Sequence, residues 1–249
     1  MNKPGRQTRG LFITGTDTGV GKTWMTAMIA RELMGDGTEV GVYKPVCSGM
    51  EIGPDGEKFW PDIAILSEAI GRRYPAERIC PQRFEAPLAP PVAARLEGMT
   101  VDSSRLRSAA RWWRGRVDLL LIEGVGGLLC PLTETETVAD LAGDLGYPLL
   151  IVGRLGLGTI NHTLLTVETA RSRGLPVAGI ILNDLDGQSA DIRRDTNPAE
   201  LAARCNPPVL AVVSHQQQAP MERWKATGLP QLRQPIRIDW RALAGTQGD

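Results

Sequence analysis

A glycine-rich segment near the start of the chain carries residues suited to phosphate chemistry. The apolar run Leu11 to Thr14 leads into Gly15-Thr16-Asp17-Thr18-Gly19-Val20-Gly21-Lys22-Thr23, after which a helical pattern begins. A glycine-rich turn that opens a helix points backbone N–H groups and the positive end of the helix dipole at a ligand. In such a loop Lys22 neutralises the outer phosphates of a nucleotide, and the Thr23 hydroxyl ligates magnesium. The pattern predicts a nucleotide-binding loop rather than a turn that binds nothing, although five residues separate Gly15 from Gly21 where four are usual.

A second lysine and a serine follow the next apolar run, Val40 to Tyr43. Lys44 comes directly after that run, where a second cation could hold a transferring phosphate group. Ser48 offers a hydroxyl within reach of a small polar substrate. The alternative interpretation of Lys44 is a solvated surface lysine.

Two acids are candidates for directing a metal ion. Glu123 follows the apolar run Val117 to Ile122 and precedes glycines, so it is expected at the sheet edge beside the phosphate loop. Asp62 stands early in a helical stretch after Trp60-Pro61. On position alone, Glu123 could be an acid exposed in a turn, and Asp62 could be a helix-capping or first-turn acid.

Two further segments could contact a ligand. Gly158-Thr159-Ile160-Asn161 starts a helix that carries His162, and its free N–H groups suit a carboxylate, although a plain helix cap is equally consistent. Asn183 ends the apolar run Val177 to Leu182 and could offer its amide to an adenine edge, or simply occupy a turn.

Whole-chain properties narrow the functional class. The chain has 249 residues, 42% of them hydrophobic, with 28 basic and 28 acidic side chains, so the net charge gives no reason to expect nucleic acid or an anionic membrane as a partner. Its four cysteines are scattered singly and only two histidines are present, which argues against a zinc site. The apolar run at the N-terminus is too short for a signal peptide, and we expect a cytoplasmic protein. The arginines interleaved with Trp112 and Trp113 fit the solvated face of an amphipathic helix better than a base-stacking surface.

The elements that must position these residues alternate along the chain. Six apolar runs predict buried strands at 11–14, 40–43, 117–122, 149–152, 177–182 and 209–213, and amphipathic stretches predict helices at 23–34, 103–113, 161–173 and 198–204. This alternation predicts an α/β fold, a mostly parallel sheet with helices on both faces, whose ligands bind beyond the carboxyl ends of the strands. We expect a single domain over residues 1–249, with a core at about 10–215, an irregular insertion at 52–94 that shapes a site, and a variable C-terminal tail.

Several motifs, in one order, resemble those of the dethiobiotin synthetases. That family carries a G-T-D-T-x-V-G-K-T loop and a Y-K-P-V-x-S-G segment, which match residues 15–23 and 43–49 here. The resemblance continues through 123–127, 158–166 and Asn183, and it covers roughly residues 10 to 215. It implies a P-loop NTPase fold, a homodimer and the Mg²⁺-dependent use of ATP and CO₂ to close a cyclic urea on 7,8-diaminononanoate, without a protein nucleophile.

The resemblance also implies a role for each matching residue. Lys44 and Lys22 would be catalytic, and Thr23, Asp62 and Glu123 would hold magnesium. The nucleotide would contact Thr18, Gly19, Val20, Gly21, Lys22, Thr23, Trp24, Asp62, Glu123, Gly124, Val125, Gly126, Asn183 and Asp184. The diamine would contact Lys44 and Ser48, and its carboxylate would contact Gly158, Thr159, Ile160 and Asn161 across a subunit boundary. The segment Val213-Ser214-His215 departs from the G-x-I-P of the family, which leaves the contacts to the base open.

Two other classes share parts of this pattern. Partition and septum-positioning ATPases are P-loop switches, but they carry an early loop lysine in K-G-G-x-G-K-T that this loop lacks. Amidating synthases of cobalamin assembly have a similar nucleotide domain with an appended glutaminase domain, for which we expect no room in 249 residues.

Overall fold

The computed structural model describes residues 7–185, 192–213 and 238–246. The strands in these ranges are β1 (Arg9–Gly15), β2 (Val40–Tyr43), β3 (Val46–Ser48), β4 (Glu51–Ile52), β5 (Lys58–Phe59), β6 (Gln82–Phe84), β7 (Leu119–Gly127), β8 (Leu149–Arg154), β9 (Val177–Asn183), β10 (Val209–Val213) and β11 (Gly245–Thr246). The helices are α1 (Lys22–Gly35), α2 (Pro61–Ala69), α3 (Ala76–Ile79), α4 (Pro90–Leu96), α5 (Ser103–Trp112), α6 (Val138–Leu145), α7 (Thr159–Ser172), α8 (Ile192–Arg204) and α9 (Trp240–Leu243). All six predicted strands are present.

The central sheet of the described residues has seven strands. Six of them run in the order β10-β9-β8-β1-β7-β2, and every neighbouring pair is parallel. The short β11 pairs antiparallel with the start of β1, where β1 extends beyond the beginning of β8. This arrangement confirms the predicted α/β class with a mostly parallel sheet.

Alternating side chains on the strands build a core on both faces of the sheet. On β1, Leu11 and Ile13 join the cluster that contains α1, whereas Phe12 joins the cluster on the opposite face. β7 shows the same alternation, with Leu121 on the α1 face and Ile122 on the other. Because side chains on a strand alternate with a period of two, the residue after Ile122 returns to the α1 face.

Two predicted boundaries were wrong by five residues or more. β7 does not stop at Ile122 but continues to Gly127, because Gly127 pairs with Gly15 of β1 and the glycines let the two backbones approach. The last predicted helix does not begin at Pro198, which lies inside α8. A proline in a helix removes one N–H donor but does not always end the helix.

Three features of the structure were not predicted from the sequence. α6 begins with a capping box between Thr137 and Asp140 and ends at Gly146 in the left-handed conformation. The segment 52–94, expected to be irregular, contains four of the short elements in full, α2, α3, β5 and β6. In the tail, the Trp240 side chain is buried in the cluster that contains α1 and donates a hydrogen bond to Glu32.

The tryptophans that follow the basic face of α5 are engaged within the protein. Trp113 is buried against β2, where a side chain at Gly41 would come within 2.6 Å of its ring. Trp112 packs edge-on against Trp113 and lies beneath the guanidinium of Arg78. This supports the amphipathic-helix interpretation over a stacking surface for bases.

Within the ranges that the structure describes, no helix combines the length and apolar character needed to cross a membrane. All four cysteines lie in those ranges and none forms a disulfide.

Candidate active site

The predicted phosphate loop connects β1 to α1, and its lysine lies where the loop meets the helix. Gly19 and Gly21 have positive φ angles of 72° and 93°, a conformation that glycine adopts at little cost. α1 then begins at Lys22, whose Nζ donates a hydrogen bond of 3.0 Å to the Asp17 carbonyl oxygen. Burial lowers the pKa of Lys22 to about 8, against the opposing attraction of Glu123. An ammonium at the start of a helix is suited to phosphate oxygens.

Strand register brings Glu123 to the phosphate loop. Glu123 pairs with Ile13 of β1, and its place in the alternation of β7 turns its side chain to the α1 face. The Thr23 hydroxyl, in the first turn of α1, donates a hydrogen bond of 2.7 Å to Glu123 Oε1. Glu123 is therefore a buried carboxylate at the sheet edge beside the phosphate loop, where the sequence predicted it.

Lys44 lies between two carboxylates. It follows β2, the neighbour of β7, and its Nζ lies 2.5 Å from Glu123 Oε1 and 2.6 Å from Asp62 Oδ2. Its side chain is only 4% exposed, which excludes the surface-lysine interpretation. Burial alone would lower the pKa of Lys44, but the two carboxylates outweigh burial and raise the pKa above its ordinary value, so Lys44 is a cation.

Asp62 reaches this cluster from α2. Pro61 occupies the first position of that helix, and the Trp60 indole before it donates a hydrogen bond of 2.9 Å to the Phe84 carbonyl oxygen, which anchors the helix start. Burial works against ionisation, but the Lys44 ammonium lowers the pKa of the half-buried Asp62 carboxyl. Asp62 is a first-turn acid, as its position suggested, and it also contacts Lys44.

The cluster of Thr23, Asp62 and Glu123 has the donor chemistry of a magnesium site. Mg²⁺ prefers oxygen ligands and usually combines one or two carboxylates with water and substrate phosphates. Glu123 Oε2 is buried without a hydrogen-bond partner among the described residues, so one hard oxygen ligand is available. The described residues hold no group of three or more His, Cys, Asp or Glu side chains suited to a metal. A magnesium site that takes some of its oxygen ligands from phosphate does not need such a group.

Asn183 supports the phosphate loop from the other side. At the end of β9, its Nδ2 donates a hydrogen bond of 3.0 Å to the Val20 carbonyl oxygen. Its Oδ1 is buried and has no partner among the described residues. No local sequence pattern indicates this contact, because the two residues are 163 positions apart.

The glycines after Glu123 allow close packing beside the loop. A side chain at Gly124 would come within 3.1 Å of both Phe12 and Val138, and Gly126 has a positive φ of 60°. Val125 is half-buried. The segment 124–126 therefore lies along the edge of the loop where nucleotide contacts were expected.

The other predicted nucleotide residues surround the same loop. The Thr18 N–H donates a hydrogen bond to Asp17 Oδ1, the Val20 side chain is fully buried, and the half-buried Trp24 packs against the α1 core. The Asp184 N–H donates to Val213, at the end of β10. Ser214 and His215 lie outside the described residues.

The predicted substrate residues fall into two groups. Ser48 ends β3, four residues beyond Lys44, and its hydroxyl donates to the Leu88 carbonyl oxygen at 2.7 Å. Gly158 caps α7 with a φ of 90°, and Thr159 is buried with a hydroxyl that has no partner among the described residues. Two strands, β1 and β7, separate β8 from β2, so the strands that lead to this corner and to Lys44 stand roughly 14 Å apart across the sheet.

Comparison with known proteins identifies the family to which the chain belongs. A family model described as an AAA domain matches residues 9–223. The ATP-dependent dethiobiotin synthetase BioD of Anaeromyxobacter dehalogenans is 49% identical over 194 residues, which cover 78% of this chain and 84% of that relative. The proteins of the same name from Bacillus subtilis (strain 168) and Rhodopirellula baltica are 42% and 41% identical, over 82% and 81% of this chain and 86% and 82% of those relatives.

The family match spans most of the chain, and the similar proteins are matched over more than four fifths of their own length. The chain therefore belongs to the AAA domain family and, within it, to the ATP-dependent dethiobiotin synthetases.

Proposed function

We propose that this protein is a dethiobiotin synthetase of biotin biosynthesis. It joins 7,8-diaminononanoate and CO₂ at the expense of ATP and releases dethiobiotin, ADP and phosphate. The observation that carries the proposal is the buried Lys44, held by Glu123 and Asp62 beside Thr23 of the phosphate loop. A simple nucleotide switch needs the loop and the carboxylates, but it does not need a second buried ammonium at the same edge.

The reaction uses charge neutralisation and positioning. One amine of the substrate attacks CO₂ and, on losing a proton, becomes a carbamate. A carbamate oxygen attacks the γ-phosphorus of ATP and ADP leaves, which gives a carbamic-phosphate anhydride. The second amine then attacks the carbamoyl carbon, and phosphate leaves as the ring closes. Every intermediate is an anion, so a site with two lysines stabilises each step.

The two lysines divide this work. Lys22, at the start of α1, faces the phosphates held by the loop, and Lys44, at the end of β2, faces the carbamate oxygen and the transferring phosphoryl group. The side chains of Thr23, Asp62 and Glu123 would hold Mg²⁺, which when bound neutralises phosphate charge. The reaction requires no nucleophile from the protein, consistent with a cluster built from acids, lysines and one hydroxyl.

The diamine would lie between Ser48 and the start of α7. The N–H groups at Gly158, Ile160 and Asn161 suit its carboxylate, whereas the Thr159 N–H donates to the Gly156 carbonyl oxygen at 3.3 Å. Because two strands separate β8, which leads to this corner, from β2, which leads to Lys44, we propose that a homodimer completes the substrate site. The exposed face of α7 supports this, since Leu165 is 59% exposed there and Leu157, just before the helix, is 90% exposed.

The nucleotide base would lie near Asn183 and Asp184, where Asn183 Oδ1, which has no partner among the described residues, could accept a hydrogen bond from the adenine amino group. We also propose that residues 1–249 act as one domain and that the enzyme works in the cytoplasm. Its partners are then small molecules and a second copy of the chain, with no nucleic acid or membrane.

Phosphate release by the purified protein tests the function directly. The reaction contains MgATP, bicarbonate and 7,8-diaminononanoate, each component is omitted in turn, and the product is identified by mass spectrometry. We expect phosphate release that requires all components and yields dethiobiotin. ATP hydrolysis that is indifferent to the diamine would instead favour a P-loop switch. Release that requires a different diamine would keep the reaction class and change the substrate.

A further inference from the structure

The Lys44 ammonium fills the space on which the proposed metal ligands converge. It contacts Glu123 Oε1 at 2.5 Å and Asp62 Oδ2 at 2.6 Å, and the Thr23 hydroxyl donates to the same Glu123 oxygen at 2.7 Å. The proposed ligands are therefore all within hydrogen-bonding distance of the lysine or of the oxygen that it contacts.

A divalent cation and this ammonium cannot share these oxygens favourably. Mg²⁺ binds oxygen ligands at about 2.0–2.1 Å and requires a nearly octahedral arrangement. An ion that takes one oxygen from Asp62 and one from Glu123 would stand where Lys44 Nζ now lies, and its two positive charges would repel the ammonium at short range. The burial of Lys44 strengthens this repulsion, because little water screens it.

We propose that Lys44 is an exchangeable counter-cation: it neutralises Asp62 and Glu123 while no metal is bound, and it must leave them before a divalent cation binds. The inference rests on the proposed magnesium site, but not on the identity of the diamine. Lys44 would then have two positions, one against the carboxylates and one towards the phosphate and the carbamate. Metal loading would thus release the catalytic lysine at the moment when the nucleotide arrives.

Competition of this kind predicts that removing the lysine improves metal binding. In Lys44→Met the aliphatic volume remains but the ammonium is lost, so nothing has to be displaced. Lys22→Met is the matched control, because it removes the other ammonium that the carboxylates attract, although that ammonium donates to Asp17 and does not stand between them. The two variants change the net charge equally and differ in whether the metal position is vacated.

The first experiment titrates Mn²⁺ into the nucleotide-free protein and follows free Mn²⁺ by electron paramagnetic resonance. We expect Lys44→Met to bind Mn²⁺ at least about tenfold more tightly than the wild type, equivalent to about 1.4 kcal/mol, and Lys22→Met to change the affinity by less than about threefold. An unchanged or weaker affinity in Lys44→Met would overturn the exchange. Equal gains in both variants would also overturn it, because general electrostatics would then explain them. Circular dichroism verifies that each variant is folded.

The second experiment uses the wild type, so it does not depend on a variant that folds. Lysines are labelled by reductive methylation with and without saturating Mn²⁺, and peptides are quantified by mass spectrometry. We expect labelling of Lys44 to rise at least about threefold with the metal, since linkage is reciprocal, while labelling of the exposed Lys58 stays constant. Protection of Lys44 that is unaffected by bound Mn²⁺ would contradict the proposal. Neither experiment contains ATP or diamine, so a failure of the exchange is distinguishable from a failure of the proposed activity.

Discussion

The side-chain amide of Asn183 donates a hydrogen bond of 3.0 Å to the carbonyl oxygen of Val20 and thereby ties the end of β9 to the phosphate loop. The contact is buried and crosses from one strand end to another. It leaves one acceptor, Asn183 Oδ1, without a partner among the described residues. A single side chain at this position can therefore both hold the loop and contact a nucleotide.

Replacement of Asn183 by alanine should weaken nucleotide binding and reduce the selectivity for the nucleotide base. Loss of the buried hydrogen bond leaves the Val20 carbonyl unsatisfied, which costs about 1–3 kcal/mol, and the acceptor for the adenine amino group is lost as well. We expect the Kd for ATP to rise at least about tenfold and the preference for ATP over GTP to shrink, as measured by calorimetry. Equal losses for the two nucleotides would limit Asn183 to supporting the loop.

Because of the same contact, substitution of Gly21 should cost more stability than substitution of the nearby Gly19. Both have positive φ angles, so alanine at either position is strained by about 1–2 kcal/mol. A side chain at Gly21 would also lie 2.2 Å from Asn183 Nδ2, whereas none of the described atoms lies within 4 Å of one at Gly19. In urea unfolding of the nucleotide-free protein, Gly21→Ala should lose at least about 1 kcal/mol more than Gly19→Ala. Similar losses would show that the loop relaxes away from Asn183.

Lys44→Ala should retain the fold and nucleotide binding but lose most turnover. The ammonium stabilises charge that develops during the reaction, and removal of one such group lowers kcat by on the order of 10²–10³. The assay is the phosphate release described above, at saturating MgATP. Lys58→Ala is the control, because Lys58 is a half-exposed lysine that pairs with Glu85 on the surface, and it should leave turnover unchanged. Turnover like that of the wild type in Lys44→Ala would remove this lysine from the mechanism.

Asp140 should contribute stability that depends on pH. Hydrogen bonds from Thr137 in the capping box, together with the nearby Arg173, lower the pKa of Asp140. A carboxyl whose pKa is lower in the folded state stabilises the protein above its unfolded pKa of about 3.9, and this contribution disappears as the pH falls through the folded value. At neutral pH, Asp140→Ala should cost about 1 kcal/mol, or about 2–4 °C in Tm. The difference from the wild type should shrink below about pH 4, and a constant difference would argue against a charge effect.

The homodimer should depend on the exposed face of α7. Asn161 and Leu165 are four residues apart on that face, and Leu157, the most exposed leucine among the described residues, precedes it. By analytical ultracentrifugation we expect a wild-type particle of twice the 27.0 kDa chain mass, and a shift towards the monomer in Leu165→Asp. Leu96→Asp, on α4, is the control, since Leu96 is also exposed but lies on another helix. A wild-type monomer, or a dimer that withstands Leu165→Asp, would count against this interface.

Local pattern accounts for much of what could be predicted from the sequence. Val40–Tyr43 and Val209–Val213 were predicted to the residue, since each is a short, valine-rich run bounded by turn signals. α6 was missed because it is short and is defined by its caps, Thr137 with Asp140 and Gly146, more than by a long periodic stretch. The pairing of β11 with β1 was missed because the partner is at the other end of the chain.

Local sequence patterns were sufficient to predict the phosphate loop, the alternation of strands and helices, and the acids and lysines at the strand ends. They did not determine that Lys44 contacts both Asp62 and Glu123. Glu123 is 79 residues beyond Lys44 and 100 beyond Thr23, and these side chains meet because β2, β7 and β1 are neighbours in register. Strand order is a property of the whole sheet and is set by packing on both faces. The contact between this lysine and the acids proposed to bind the metal is therefore visible only in the tertiary structure.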